Sequence, residues 1–463
     1  MDYDVLILGG GIVGCAVAYQ LSKYNINIAL IEKDYDVADD ISFINTAVIY
    51  DGSETSNDMM ARLESIGRRL IEEHCKKFNV SYEKTGALRI TSNNNQDYKL
   101  DIMYKRAKKR DIEGVHLIEN DKELLYKIEP NLNIEVNKAL YSENVAVISP
   151  YDLAISYAEV AADNGVNFKL EEEVIDIQSL VSGFKVTTNK NKFTCKVVVN
   201  TIPDEISFNH IQEEYDYKNM NYIMFENKSE DKLKTILIDD IDDTTFVINN
   251  PKLQNGNLIG IKSNHILSLE EGIDMSASIF PEGKKDFVSN MFAEVYNKDI
   301  MIIDDSKLDN GYIKITGTHY GKITIAPAIA LKIKNTLKDN LNIIRKKDYI
   351  DKRREVYRFK NLSNEERNEV ISLDKRYGNI VCVCNNISEG EIIDSIRRPL
   401  GARTVEGVKR RTGIGRGNCN GAYCDIKIIK ILAREMDKNI LDIVEDSKDS
   451  NIVSSRIKEF KEI

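Results

Sequence analysis

Tryptophan is absent from the 463 residues, proline occurs 7 times and histidine only 5 times. The missing tryptophan accompanies an abundance of Ile, Asn, Lys and Asp, which reads as genome bias and carries no functional information. No run of 18 apolar residues occurs, so no integral membrane segment is expected. The chain opens Met1-Asp2-Tyr3-Asp4 with no basic stretch ahead of its first apolar run; no signal peptide and a cytoplasmic location are expected. An excess of basic charge is lacking too. Lys and Arg number 64 against 74 Asp and Glu, a net charge of −10 with pI near 5.3, which excludes a general polyanion binder and argues against a nucleic-acid partner. The cysteines do not suit a disulfide framework. They number seven, an odd count, and four of them fall between positions 382 and 424, a clustering closer to a metal site.

What is present fits an ordinary globular protein: 42% hydrophobic and 30% charged residues with mean hydropathy −0.35, long enough for about three domains at roughly 150 residues each. Apolar periodicity predicts a strand at 5–8, a helix at 12–24 and a strand at 27–32. A helix follows over 59–78, its apolar face formed by Met60, Leu63, Ile66, Leu70, Ile71 and His74, with a strand over 86–91. A helix over 153–164 precedes strands near 166–170, 184–188 and 196–200. Short strand patterns between 205 and 300 alternate with Asn and Asp turns, as in an antiparallel sheet. A strand at 312–316 leads to a helix over 325–337, where Pro327 is tolerable only in the first turn. The highly charged stretch 338–376 suits a linker with helical pieces, a cysteine-bearing module spans about 377–437, and the last 25 residues read as a charged, partly helical tail.

Gly9, Gly11 and Gly14 form a GxGxxG loop directly after a strand and at the start of a helix. Gly9 permits the tight turn, Gly11 lets backbone approach a pyrophosphate, and Gly14 lets helix and strand pack closely. Glu32, followed by Lys33, closes the second strand and offers a carboxylate to an adenosine ribose. With strand, helix and acid in register, dinucleotide binding is expected; NAD and FAD share the fingerprint. Late in the chain, strand 312–316 runs into a loop holding Gly317 and Gly321 and then a helix that includes Ile323. Its N-terminal dipole could face an isoalloxazine ring and stabilise a reduced flavin.

Cys382 and Cys384 form a CxC pair and Cys419 and Cys424 a CxxxxC pair, a four-thiolate set suited to a 2Fe-2S cluster or a structural zinc. The one-residue CxC spacing is uncommon in zinc knuckles and favours 2Fe-2S. Gly413, Gly415, Gly417 and Gly421 let backbone N–H groups reach the sulfurs, and Lys409, Arg410, Arg411 and Arg416 are expected to offset the thiolate charge. Cys15, Cys75 and Cys195 read as small core residues. Of the histidines, only His319, in the loop before the late helix, is a plausible active-site neighbour.

With both ends read, the chain resembles the anaerobic glycerol-3-phosphate dehydrogenase family, flavoproteins of the D-amino-acid-oxidase-like superfamily with a carboxy-terminal bacterioferritin-associated-ferredoxin-like 2Fe-2S domain. The resemblance runs from residue 1 to about 437. It is carried by DVLILGGGIVGCAVAYQLSKYNINIALIEK, EKTGALRIT, EPNLN with ALYSENVAVISPYDLAISYAE, APAIA, and VCVCNNISEGEIIDSIRRPLGARTVEGVKRRTGIGRGNCNGAYC. It implies FAD between a flavin domain and a substrate domain, with electrons passing to the cluster. The family's GxSxxNSxxxHxG segment reads DISFINTAVIYDG here: Ser42 and Asn45 remain, Thr46 stands for Ser, Asp40 for Gly and Tyr50 for His. The family's NAAG turn reads Asn200-Thr201-Ile202-Pro203. Its RRGEY-like and AGLRP-like arginine segments have no counterpart, and residues 221–311 contain no arginine, so the usual guanidinium clamp for a phosphate or carboxylate is missing there.

The expected fold is therefore α/β, with a Rossmann-like FAD-binding domain (1–80, 145–205 and 300–340), an antiparallel α+β substrate domain (81–144 and 206–299), a linker (341–376), a small helical 2Fe-2S module (377–437) and the tail (438–463). The expected activity is that of an FAD-dependent dehydrogenase taking a hydride from a small hydroxy- or amino-substituted substrate. Electrons would leave singly through the cluster to an acceptor protein or quinone-linked subunit, which a simple oxidase would not need. Tyr50 and His319 are catalytic candidates by position. The alternative expectation is a degenerate relay or structural subunit without turnover, which the missing arginines and the replaced histidine favour.

Overall fold

The computed structural model describes residues 1–455 apart from 39–46, 92–95, 137, 203–216, 227–232, 254–255, 298–299, 308–310, 342, 416 and 418. Asp40, Ser42, Asn45 and Thr46 of the second flavin segment, and Arg416, lie outside the described residues.

The first strand, β1 (Tyr3–Leu8), the helix α1 (Ile12–Ser22) and the next strand, β2 (Ile28–Ile31), make the expected unit. β1 pairs in parallel with β2 on one side and with the strand Lys192–Asn200 on the other, and Tyr312–Thr316 adds a further parallel strand. Parallel strands are buried on both faces, which is why 5–8 and 28–31 read as continuous apolar runs. Every residue of α1 is buried, because helices cover it: Pro150–Asp163 and the late helix Lys322–Leu341 both pack on it. Ser149 caps Pro150–Asp163 through the Asp152 N–H, with Pro150 in the first turn where no N–H is needed.

Two helical expectations need correction. In α2 (Asp58–Phe78) the buried line is Met60, Glu64, Gly67, Ile71, His74 and Phe78, whereas Leu63, Ile66 and Leu70 are only partly buried. The reason is backbone contact: a Cβ on Gly67 would stand 1.8 Å from the Thr324 carbonyl oxygen, so the small-residue line faces the late helix. That late helix begins at Lys322, three residues ahead of the expected start, and Pro327 sits beyond its first turn. The helix continues through the proline because Ile325, Ala326, Ile329, Ala330 and Ile333 are all fully buried, an apolar gain that outweighs one lost backbone bond.

The second sheet has eight strands, among them β5 (Ala87–Ile90), Lys138–Ser142 and five strands between 217 and 297. It is antiparallel as expected except where β5 runs parallel to Ile236–Asp240. The helix α3 (Asp97–Lys109) packs against it. The cysteine module has its own apolar core, built from Ile392, Val405, Val408, Ile414, Ile428 and Leu432 with Cys382 and Cys424. Residues beyond 437 pack back on this core: Ile443 is buried in it, and the Val405 N–H donates to the Val444 carbonyl. The module is fastened to the rest by charge. Glu159, buried on Pro150–Asp163, takes Arg398 of the module (2.9 Å) and Arg353 of the linker (2.6 Å). Among the described residues no helix is long and apolar enough to cross a membrane.

Candidate functional site

The amino-terminal loop is dictated by backbone geometry. Gly9 has φ +95°, where other residues are strained, and a Cβ on Gly14 would lie 2.0 Å from the Gly9 carbonyl oxygen. Gly11 is the N-cap of α1 and no side chain caps that helix, so its first-turn N–H groups remain available to an anion. The Glu32 carboxylate accepts the Gly10 N–H (2.5 Å) and the Asp34 N–H (3.1 Å), which holds it at the mouth of the loop, with Lys33 exposed beside it. Thr201 stands beside the loop, its hydroxyl donating to the Leu8 carbonyl (2.8 Å).

The second cluster forms where the late helix meets α2. Gly317 has φ +77°, and a Cβ there would lie 2.1 Å from the Ile300 carbonyl oxygen. The Gly321 N–H donates to His319 Nδ1 (2.9 Å), so in the neutral ring the proton sits on Nε2. Glu64 Oε1 stands 3.8 Å from Nδ1, both side chains being fully buried. A Cβ on Gly321 would meet that same Oε1 at 2.8 Å, and Ile323 is buried just beyond. Tyr50 is buried too; its N–H donates to Thr324 Oγ1 (3.1 Å), and its ring meets Tyr320 edge-on at 4.8 Å, while His319 stacks on Tyr320 at 4.4 Å. The two residues singled out by position are thus brought together through Tyr320.

Tyr320 also walls a cavity of about 630 Å³, whose lining includes Glu54, Arg89, Arg106, Phe246 and Lys262. Arg89 is buried on β5 and paired with both Glu54 and Asp240 (2.7 Å to the latter). The Lys262 ammonium lies 5.7 Å from both the Phe246 and Tyr320 ring centres.

In the cysteine module, Cys384 Sγ is 3.7 Å from Cys419 Sγ. The Cys384 thiol is raised by its bond to Cys419, while Cys419 is held below the usual thiol range by that bond and by N–H groups of Tyr423 and Gly421. Cys424 is pushed up to about 11, by burial first and then by Cys382. All four sulfurs therefore sense one another, although among the described residues no group of three or more His, Cys, Asp or Glu is closed into an ion cage. Of the glycines, Gly421 directs its N–H at Cys419, and Gly417 approaches Cys384 so closely that a Cβ there would lie 2.5 Å from the Cys384 Cβ. The basic residues do not act as expected. Lys409 is paired with Glu406 and Glu445 (3.0 Å each), Arg410 with Asp446 (2.5 Å) and Arg411 with Asp36, so their charge is spent on carboxylates.

Residues 4–202 match the FAD dependent oxidoreductase (DAO) family and residues 380–434 the BFD-like [2Fe-2S] binding domain. The chain is 31% identical to the glycerol 3-phosphate dehydrogenase of Caloramator mitchellensis across 98% of its own length and 99% of that protein. The chain belongs to the glycerol 3-phosphate dehydrogenase family. The glycerol 3-phosphate oxidase of Mycoplasma pneumoniae is 29% identical over 43% of this chain and 53% of its own. Among solved structures, the reduced, FAD-bound L-alpha-glycerophosphate oxidase from Mycoplasma pneumoniae superposes with TM-score 0.67 at 22% identity, covering 76% of this chain and 98% of that one. The glycine oxidase of Geobacillus kaustophilus follows with TM-score 0.62 at 18% identity, over 75% and 96%.

As a member of that family the protein is an FAD-dependent oxidoreductase with a 2Fe-2S domain, and the residues present fit both groups. The uncapped N-terminus of α1, beside a loop in which a Cβ on Gly9 or Gly14 would clash, suits a pyrophosphate, and the neighbouring thiols of Cys382, Cys384, Cys419 and Cys424 suit the cluster. Sequence reasoning missed Glu64, Tyr320, Arg89 and Arg106. A signal for Glu64 was there: a carboxylate and a glycine, Glu64 and Gly67, stand on the same helical line as Met60 and Ile71, where an apolar face would place neither. Cys15, Cys75 and Cys195 are buried, the last two pushed up to about 12, so none is a reactive thiol. His74 is buried among Tyr19, Phe78 and Tyr157, as a core residue.

Proposed function

We propose that this enzyme is a dehydrogenase for a small phosphorylated polyol of the glycerol 3-phosphate type and that its electrons leave through the cluster to an acceptor protein or quinone-linked subunit. The observation that carries this reading is the match to the Caloramator protein, which extends over the flavin region, the second sheet and the cysteine module alike. Oxidising a secondary alcohol to a ketone releases two electrons and two protons; FAD supplies the two-electron acceptor and the cluster the one-electron outlet.

The residues assigned to FAD are Gly9, Gly11, Gly14, Glu32 and Lys33 at the nucleotide end. Ser42, Asn45 and Thr46 are assigned to FAD through the second flavin segment, Gly317, Gly321 and Ile323 to the ring end, and Cys382, Cys384, Cys419 and Cys424 to the cluster. The domain boundaries expected above belong to the same reading. His319, with Nδ1 occupied by the Gly321 N–H, serves as an Nε2–H donor rather than as a base. Tyr50 and Tyr320 form an aromatic wall that excludes water from the reacting carbon. Cys384 is exposed and Cys419 partly so, with Val383 and Tyr423 exposed beside them, a surface suited to handing electrons outward. A reducing, cytoplasmic setting accords with seven free thiols.

The test is anaerobic mixing of the purified enzyme with glycerol 3-phosphate. Bleaching of the flavin bands, followed by loss of the long-wavelength cluster absorbance, is expected. Bleaching by dithionite alone, with no response to this or any hydroxy or amino acid, would leave the relay subunit as the better account.

A further inference from the structure

The chain carries no arginine between Arg110 and Arg345. A guanidinium for the substrate cavity therefore has to come from another part of the fold, and the first 110 residues provide two. Arg89 is the deeper, but Glu54 and Asp240 both hold it, so its charge is already matched. Arg106, on α3, differs. Among the described residues it enters no ion pair; Nη2 donates to the Glu54 carbonyl (3.0 Å), and Nε is buried with no hydrogen-bond partner. Its surroundings disfavour its charge: burial first, then the neighbouring Arg110 and Arg89 guanidiniums, hold it below the ordinary arginine range. An anion arriving there would relieve both penalties. Lys262, on the strand Gly256–Ser263 of the second sheet, lines the same cavity as Arg106.

We propose that Arg106, with Lys262 of the same cavity, is the subsite for the tetrahedral phosphate of a phosphate-monoester substrate, in place of the arginines that the strands between 217 and 297 lack. Within the fork of Arg106, Nη2 donates to the Glu54 carbonyl while Nε, on the same edge, is buried and unmatched. Cations approaching from a helix and from a strand suit a tetrahedral dianion better than a planar carboxylate. The acidic residues at the mouth, Asp242 and Asp243, are exposed and engaged with Thr244, Thr245, Tyr98 and Lys99. This inference rests on the dehydrogenase reading for the identity of the substrate, but not for the presence of the anion site.

The competing role for Arg106 is to pin the loop 52–57, a task it shares with Arg110, which donates to the Gly52, Thr55 and Ser56 carbonyls and pairs with Asp58. The experiment compares Arg106→Met, Arg106→Lys and Arg110→Met in the holoenzyme. Inorganic phosphate binding is measured by calorimetry, and anaerobic flavin reduction by glycerol 3-phosphate is followed in parallel. Arg106→Met is expected to weaken phosphate binding and raise the half-saturating glycerol 3-phosphate concentration at least 30-fold each. Arg106→Lys should recover part of the loss, and Arg110→Met should change either by less than about 3-fold. If glycerol 3-phosphate fails to reduce the wild-type flavin while phosphate still binds through Arg106, the subsite stands and the substrate reading falls. The subsite is overturned if wild-type enzyme binds no phosphate, if Arg106→Met binds it as wild type does, or if Arg110→Met loses it equally.

Discussion

The glycine loop at one end of the chain and the cysteine module at the other both serve cofactors, yet they are secured by opposite means. The loop is held by backbone against backbone: Gly9 in the left-handed region, and Gly14 where a Cβ would lie 2.0 Å from a carbonyl oxygen. The module is held to the flavin region by buried charge, with Arg411 on Asp36 and Arg398 and Arg353 on Glu159. The first arrangement tolerates no added atom and ignores charge; the second tolerates shape changes but not the loss of one ion. The difference teaches that the nucleotide site is a local object, whereas the position of the module is a property of the assembled chain.

The largest effects should come from the cofactor sites themselves, and they should separate cleanly. Gly14→Ala is expected to yield protein with little or no flavin that keeps its cluster absorbance, and Cys419→Ser the reverse; visible spectra of the two variants check this. If either variant lost both groups, the two sites would not be the independent units contrasted above. Next in size, Glu159→Ala removes the carboxylate that Arg353 and Arg398 share, leaving Arg353 to Asp152 and Arg398 to Asp394, and should cost about 3 kcal/mol, read by denaturant unfolding. Protease cleavage within 341–376 should speed up at the same time, while flavin content stays near wild type. The smallest effect concerns the core beside the loop. His74 is pushed down to about 3 by burial, so the native state refuses a proton that the unfolded chain accepts near 6.5. Its contribution is complete above pH 6.5 and is lost progressively as pH falls from there toward 3. Between pH 6.5 and 5 this amounts to about 2 kcal/mol, and His74→Gln should flatten that part of the stability profile, measured by urea unfolding at several pH values.

Much of this molecule was legible in one dimension because the relevant contacts are short in sequence. Strand, glycine turn, helix, strand and Glu32 lie within 32 residues, and the CxC and CxxxxC pairs were read as one set from their spacing. The reading failed where a neighbour distant in sequence set the outcome. Bulky Leu63, Ile66 and Leu70 looked like the buried face of α2, but the late helix comes so close at Thr324 that only Gly67 fits, and the face rotates. Lys409, Arg410 and Arg411 looked like partners for thiolates, but folding sets carboxylates from 36, 406, 445 and 446 against them, and a buried cation pairs with the nearest anion.

The sequence by itself determined the two cofactor sites and the class of fold, since each is specified by residue type at fixed short spacing on one or two adjacent elements. Tertiary structure alone decided the cavity proposed for the substrate. Arg89, Arg106, Lys262 and Tyr320 come from a strand, a helix, another strand and a loop, and only the packing of the second sheet against the late helix puts them around one volume. No local propensity encodes such a meeting, because the free energy that creates it is the burial of apolar faces elsewhere in the chain.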